Sequence, residues 1–116
     1  MASGYDINIS QGATFTFDVQ VNDTNLSSGY TARMKGRSHH ANATALFDWT
    51  TANGKIALTH QGNHSHITIT VSAADTAQLT APMAGVYDIE YEQTSGTVVT
   101  RILEGSFYVT PEVTRA

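Results

Sequence analysis

Apolar and polar residues alternate with a period of two along most of the chain, the mark of strands with one buried face. The ribbon that organises the rest runs from Ala84 to Val113. In its first arm Tyr87, Ile89 and Tyr91 share one face, with Asp88, Glu90 and Glu92 on the other. Gln93-Thr94-Ser95-Gly96 supplies a turn, so the arm from Thr97 to Val109 returns as an antiparallel hairpin. Gly105 inside that second arm predicts a bulge or a bend of the sheet.

Upstream, Asp6 to Ile9 reads as a short first strand, and Ala13 to Val21 alternates most cleanly. Phe15, Phe17, Val19 and Val21 lie on one side of it, and Thr14, Thr16, Asp18 and Gln20 on the other. Leu26, isolated among turn residues, plugs the end of a core. Tyr30 to Arg37 alternates apolar with basic residues, so Arg33, Lys35 and Arg37 form an outward ladder. Ala45 to Thr50 is a short aromatic strand. Lys55–His60 and Ser65–Val71 flank a second hairpin turn, with Ile67, Ile69 and Val71 facing inward. Ser72 caps a short helix over 73–79, where Asp75 suits the helix dipole and Pro82 marks the end.

Short strands, frequent turn signals and one helical turn predict a single all-β domain over residues 1–116. The expected form is a two-sheet antiparallel sandwich of immunoglobulin-like type, with a jelly roll or small barrel as alternatives. Charged residues are only 14% of the chain, Thr is abundant, and Lys35 and Lys55 are the only lysines. A net charge of −4 gives no electrostatic footprint for nucleic acid or an anionic membrane. The start carries no signal-peptide pattern and no run is long enough to span a membrane, so synthesis in a cytosol is expected. There is no cysteine, hence no disulfide framework.

Chemistry has few candidates. His60, His64 and His66 fall within seven residues, with His39-His40 elsewhere. If their hairpin brings His60 and His66 together, three imidazoles can hold zinc. No carboxylate inside the hairpin orients the rings, so no metal site and no other cofactor is assigned. A shared ion on an oligomer axis is left open. Asp88, Glu90 and Glu92 lie in one outward row, whereas a glycosidase needs two carboxyl groups facing each other across a substrate. The expectation is an acidic stripe that pairs with a basic ladder such as Arg33, Lys35 and Arg37, on a neighbouring strand or subunit. Trp49 beside Phe47 is read as core; exposed, it would mark an interface or a sugar-stacking surface.

Several stretches taken together carry a resemblance. Tyr5-Asp6-Ile7-Asn8-Ile9-Ser10-Gln11-Gly12-Ala13-Thr14-Phe15 is followed by Ser28-Gly29-Tyr30-Thr31-Ala32-Arg33-Met34 and Gly54-Lys55-Ile56-Ala57-Leu58. Ile67 to Ala73 precedes the short helix, and Val86 to Glu90 and Leu103-Glu104-Gly105 lead to Pro111-Glu112-Val113-Thr114-Arg115. Over nearly its whole length the chain resembles small virion structural proteins of tailed bacteriophages of marine and cyanobacterial type. It is also similar to the immunoglobulin-like N-terminal module of phage upper baseplate proteins. The resemblance implies a non-enzymatic assembly role at the tail or baseplate, in a virion built in the host cytoplasm.

The end at Ala116, where a baseplate protein would continue, keeps a capsid decoration protein as an alternative. A carbohydrate-binding module that recognises a host-surface glycan is the competitor from another class, and an enzyme is the third. The expected partners are other virion proteins and further copies of the chain. Gly4, Tyr5, Pro111, Glu112, Val113, Thr114 and Arg115 are the expected contact arms, because chain ends stay mobile unless docked.

Overall fold

A computed structural model of the protein describes residues 3–22, 24–39, 45–96 and 98–112. In chain order the elements are β1 (Ser3–Gly4), β2 (Ile7–Ser10), β3 (Phe15–Asn22), β4 (Tyr30–Arg37), β5 (Phe47–Thr50), β6 (Ile56–Gln61) and β7 (His64–Val71). They are followed by α1 (Ala73–Thr76), β8 (Met83–Gln93) and β9 (Val99–Thr110). The described residues are thus mostly strand, with one helical turn among them, as the alternation requires.

The strands form two sheets. One is six-stranded, ordered β1-β9-β8-β4-β5, with β2 also on β9; the other is three-stranded, ordered β3-β7-β6. The second sheet is antiparallel throughout. The first is mixed, which corrects the expected all-antiparallel arrangement: β1 and β2 run parallel to β9. They follow one edge of that long strand in succession, Ser3 opposite Leu103 and Ile7 opposite Phe107. The break between them lies at Tyr5 and Asp6. Tyr5 still donates its N–H to the Glu104 carbonyl at 2.9 Å, and the Asp6 carboxylate accepts from the Ser106 N–H at 3.0 Å. These two bonds to β9 carry the chain across the break, so β1 and β2 need no hairpin to be held there.

The inward rows of both sheets meet in one core. Ile67, Ile69 and Val71 from β7 pack with Met34, Ile89, Phe107, Val109 and Ile9 from the larger sheet, all essentially sealed from solvent. Leu26 closes one end, as its isolation among turn residues implied. Burying each such side chain contributes roughly 1.5–3 kcal/mol, so this shared core is the main source of stability.

Two local expectations change. The bulge in the β8–β9 hairpin lies at Ile102, where the register shifts between Ile89 and Glu90; Gly105 pairs regularly with Tyr87. Gly105 serves close approach instead, because a Cβ there would run into the Tyr5 carbonyl. The helix has its predicted cap, the Ser72 side chain accepting from the Asp75 N–H, but it ends at Thr76 and not at Leu79. Beyond it Gln78 and Leu79 bond three residues back, which tightens the last turn before the chain crosses to β8.

Candidate functional site

The outward face of the larger sheet carries the densest charge. Along β4 the outward positions are Arg33, Lys35 and Arg37, and β8 runs antiparallel beside it with Arg33 opposite Glu90 and Lys35 opposite Asp88. Arg33 lies between two carboxylates, its Nη2 2.5 Å from Glu92 Oε1 and its Nε 3.7 Å from Glu90 Oε1. On the far side of β8 the β9 residue Arg101 sets its Nε 3.3 Å from Asp88 Oδ2 and its Nη1 3.5 Å from Glu104 Oε1. Lys35 reaches outward to Asp48 on β5 at 3.9 Å. The acidic stripe and basic ladder therefore pair within one chain, on neighbouring strands.

Ile102 explains why Arg101 joins them. The extra residue at the bulge flips the parity of β9, so Arg101 and Glu104 both point outward although they are three positions apart. The result is a polar cleft of about 290 Å³ lined by Arg33, Lys35, Arg37, Asp88, Glu90, Arg101 and Glu104, together with Val86 and Tyr87. Four of the chain's six Lys and Arg residues line it. The ion pairs are partly exposed, so each is worth at most about 1 kcal/mol to the fold. Their arrangement matters more as a pattern: columns of opposite sign offer both donors and acceptors to a surface laid across them. The carboxylates stand side by side on one strand, not across a gap from one another.

The histidines separate. His60 faces inward with Ile56 and Leu58, opposite Ser65, and its Nδ1 lies 2.8 Å from Ser65 Oγ. His64 and His66 stand on the outward face of β7, their rings edge to face at 5.1 Å. The tight turn at Gly62-Asn63 sets this parity and sends His60 to the other side of the sheet. Among the described residues no group of three His, Cys, Asp or Glu side chains is placed to hold a metal ion. His39 lies in the bend after β4, and His40 falls outside the described residues.

Sequence reasoning missed Asp18. It sits on β3, nearly fifty residues away, yet its Oδ2 is 2.8 Å from His66 Nδ1 and its Oδ1 accepts from the Thr68 hydroxyl at 2.7 Å. The outward position of Asp18 was legible; its partner was not, because the pairing of β3 with β7 is long-range. Ser65 was missed for the same reason. Its hydroxyl is fully buried, accepts from the Leu26 N–H at 2.9 Å and donates to the Thr24 carbonyl at 2.6 Å.

Trp49 is core, 5% exposed, stacked on Phe47 at 4.0 Å and tilted against Phe15 at 5.7 Å. A sugar-stacking platform built on its indole has no open face. Of the expected contact arms, Gly4 lies in β1, and Tyr5 is 55% exposed while its ring stacks on Phe17 at 5.6 Å. Pro111 is exposed, and Glu112 is tied down, its N–H donating to Gln11 Oε1 at 3.1 Å. Val113, Thr114 and Arg115 fall outside the described residues.

Compared with known proteins, the chain matches no protein-family model and no curated protein. Among the described residues no helix is long and apolar enough to cross a membrane.

Proposed function

We propose that this protein is a non-enzymatic assembly module, a virion structural protein of a tailed bacteriophage that works at the tail or baseplate. In this reading the two sheets form an immunoglobulin-like sandwich, and the protein's partners are other virion proteins and copies of itself. The resemblance of nearly the whole chain to small phage virion proteins gives the setting. The observation that carries an assembly role is the cleft on the larger sheet, where most of the chain's cations alternate with carboxylates on rigid strands.

Such a face suits recognition of another folded surface. Charges fixed on a sheet cost little further ordering on binding, and alternating signs reject misaligned partners. A capsid decoration protein would use the same face and differs only in the part of the particle it meets. The glycan-binding reading loses its anchor with Trp49 in the core.

Locating the protein by cryo-electron microscopy of intact particles tests the proposal. Density for this sandwich in the tail or baseplate is the expected result, density on the head selects the decoration role, and absence from purified particles overturns both. Reversing Arg33 and Arg101 to Glu is expected to abolish incorporation while the isolated domain stays folded.

A further inference from the structure

The smaller sheet ends on β3, and among the described residues no strand pairs with its outer edge. This edge is long and regular, running Phe15 to Asn22 without a register shift against β7. Monomeric proteins guard such edges with Lys, Pro or a bulge, since free N–H and C=O groups recruit another strand. β3 has none of these: both lysines and both prolines lie elsewhere in the chain. Beside it opens a groove of about 370 Å³, lined by Phe17, Asp18, Val19 and Gln20 on one side and by Gly4, Tyr5 and Leu103 on the other. Phe17 and Val19 are only half-buried there, the weakest-covered part of the inward row of β3.

We infer that β3 pairs antiparallel with β3 of a second copy, joining the two three-stranded sheets into one continuous sheet across a twofold axis at Val19. The register follows from parity and charge. Opposed residues must lie on the same face, so registers that slip by one are excluded. Two in-phase registers overlap the strand equally, one centred on Asp18 and one on Val19. The first sets Asp18 against Asp18, a like-charge pair directly opposite, which destabilises the seam. The second sets Asp18 against Gln20, Thr16 against Asn22, Phe17 against Val21 and Val19 against itself. It has no like-charge opposition and covers Phe17 and Val19 in both copies.

The second copy is the chosen occupant because the sequence of β3 is complementary to its own reverse in this register. Charge complementarity also favours it, since each Asp18 meets an amide that can donate. An edge seam of this length buries less than the roughly 1,200–2,000 Å² of a standard stable interface. The dimer is therefore weak in dilute solution and strengthens where copies are held close together, as in a particle. Edge pairing takes its biological role from the assembly reading above, but the experiment below separates the two.

The chain has no cysteine, so introduced thiols report the register cleanly. Under mild oxidation V19C is expected to form a disulfide dimer by itself. T16C and N22C, both on exposed outer positions, are expected to crosslink only when mixed with each other. By sedimentation, Q20D is expected to weaken the dimer roughly tenfold by setting Asp against Asp18 twice, while Q20K maintains or tightens it. A wild-type protein that stays monomeric at its highest soluble concentration overturns the pairing, as does T16C that crosslinks equally well alone. Equal losses in Q20D and Q20K overturn the register on which it rests. Each of these results leaves the virion proposal standing, since particle location is read independently.

Discussion

The buried hydroxyl of Ser65 stands 2.8 Å from Nδ1 of His60, and this pair ties the β6–β7 hairpin to the loop that carries Leu26. Because Oγ donates to the Thr24 carbonyl, it must accept both from the Leu26 N–H and from His60, which places a proton on Nδ1 of that ring. All three contacts converge on one sealed atom.

S65A removes that atom and leaves the Leu26 N–H and His60 Nδ1 without their acceptor. The expected loss is about 2–3 kcal/mol, more than one hydrogen bond is worth, because buried groups are stranded. Urea unfolding of the two proteins measures it. A change below about 0.5 kcal/mol would show that water or a shifted loop replaces the hydroxyl.

Gly105 is required by the Tyr5 carbonyl, which occupies the space a Cβ would take. Backbone cannot swing aside as a side chain can, so G105A must displace the segment between β1 and β2 that carries Tyr5. The expected cost is about 1–3 kcal/mol. It should appear first as faster hydrogen exchange at the Tyr5 amide, which bonds to Glu104. Unchanged exchange there would place the strain elsewhere.

The glycine also shows where sequence reading ends. Alternation is local, so β3, β4, β7 and the β8–β9 hairpin were legible with their inward rows, including Tyr87 and Ile89. Ser72 and Asp75 announced a helix for the same reason. What alternation does not encode is which strands meet. The parallel run of residues 3–10 along β9 depends on contacts about a hundred positions apart, and it decides that Gly105 makes room for a carbonyl and not for a bulge. The charged cleft was half legible. The outward rows of β4 and β8 were evident, but Arg101 enters only through the parity change at Ile102. That His60 would part from His64 and His66 was not legible, because a spacing of six in sequence says nothing about sheet face until the length of the turn is known.

Arg33 bridges Glu90 and Glu92 on the partly exposed face, so its removal leaves Asp88, Glu90 and Glu92 aligned with one cation fewer. R33A is expected to cost about 1 kcal/mol at low ionic strength. In about 1 M salt, where screening acts within a few ångströms, most of that difference should vanish. Thermal unfolding in the two buffers reads the effect. A loss that does not depend on salt would assign the role to packing of the Arg33 stem, not to its charge.

Tyr87 gives the fold an alkaline limit. Its ring is 4% exposed, and its hydroxyl donates to the Tyr5 carbonyl, the same group that Gly105 makes room for. Burial chiefly, and then the nearby Asp6 and Tyr5, pushes the phenol up from 10.0 to about 12. Below pH 10 the phenol is protonated in both folded and unfolded chains, and its contribution is complete. Between about 10 and 12 the unfolded chain releases the proton while the folded one holds it, so stability falls as pH rises through that window. The total loss is of order 2–3 kcal/mol. Y87F lacks the ionisation, so it should start about 1 kcal/mol less stable near neutral pH, for want of the hydrogen bond. Its deficit should then shrink and reverse as the wild type loses stability above pH 10. Denaturant midpoints measured for both proteins across that range decide it. Parallel curves would mean that the alkaline loss arises at another residue and that the Tyr87 hydroxyl is not held as the structure places it.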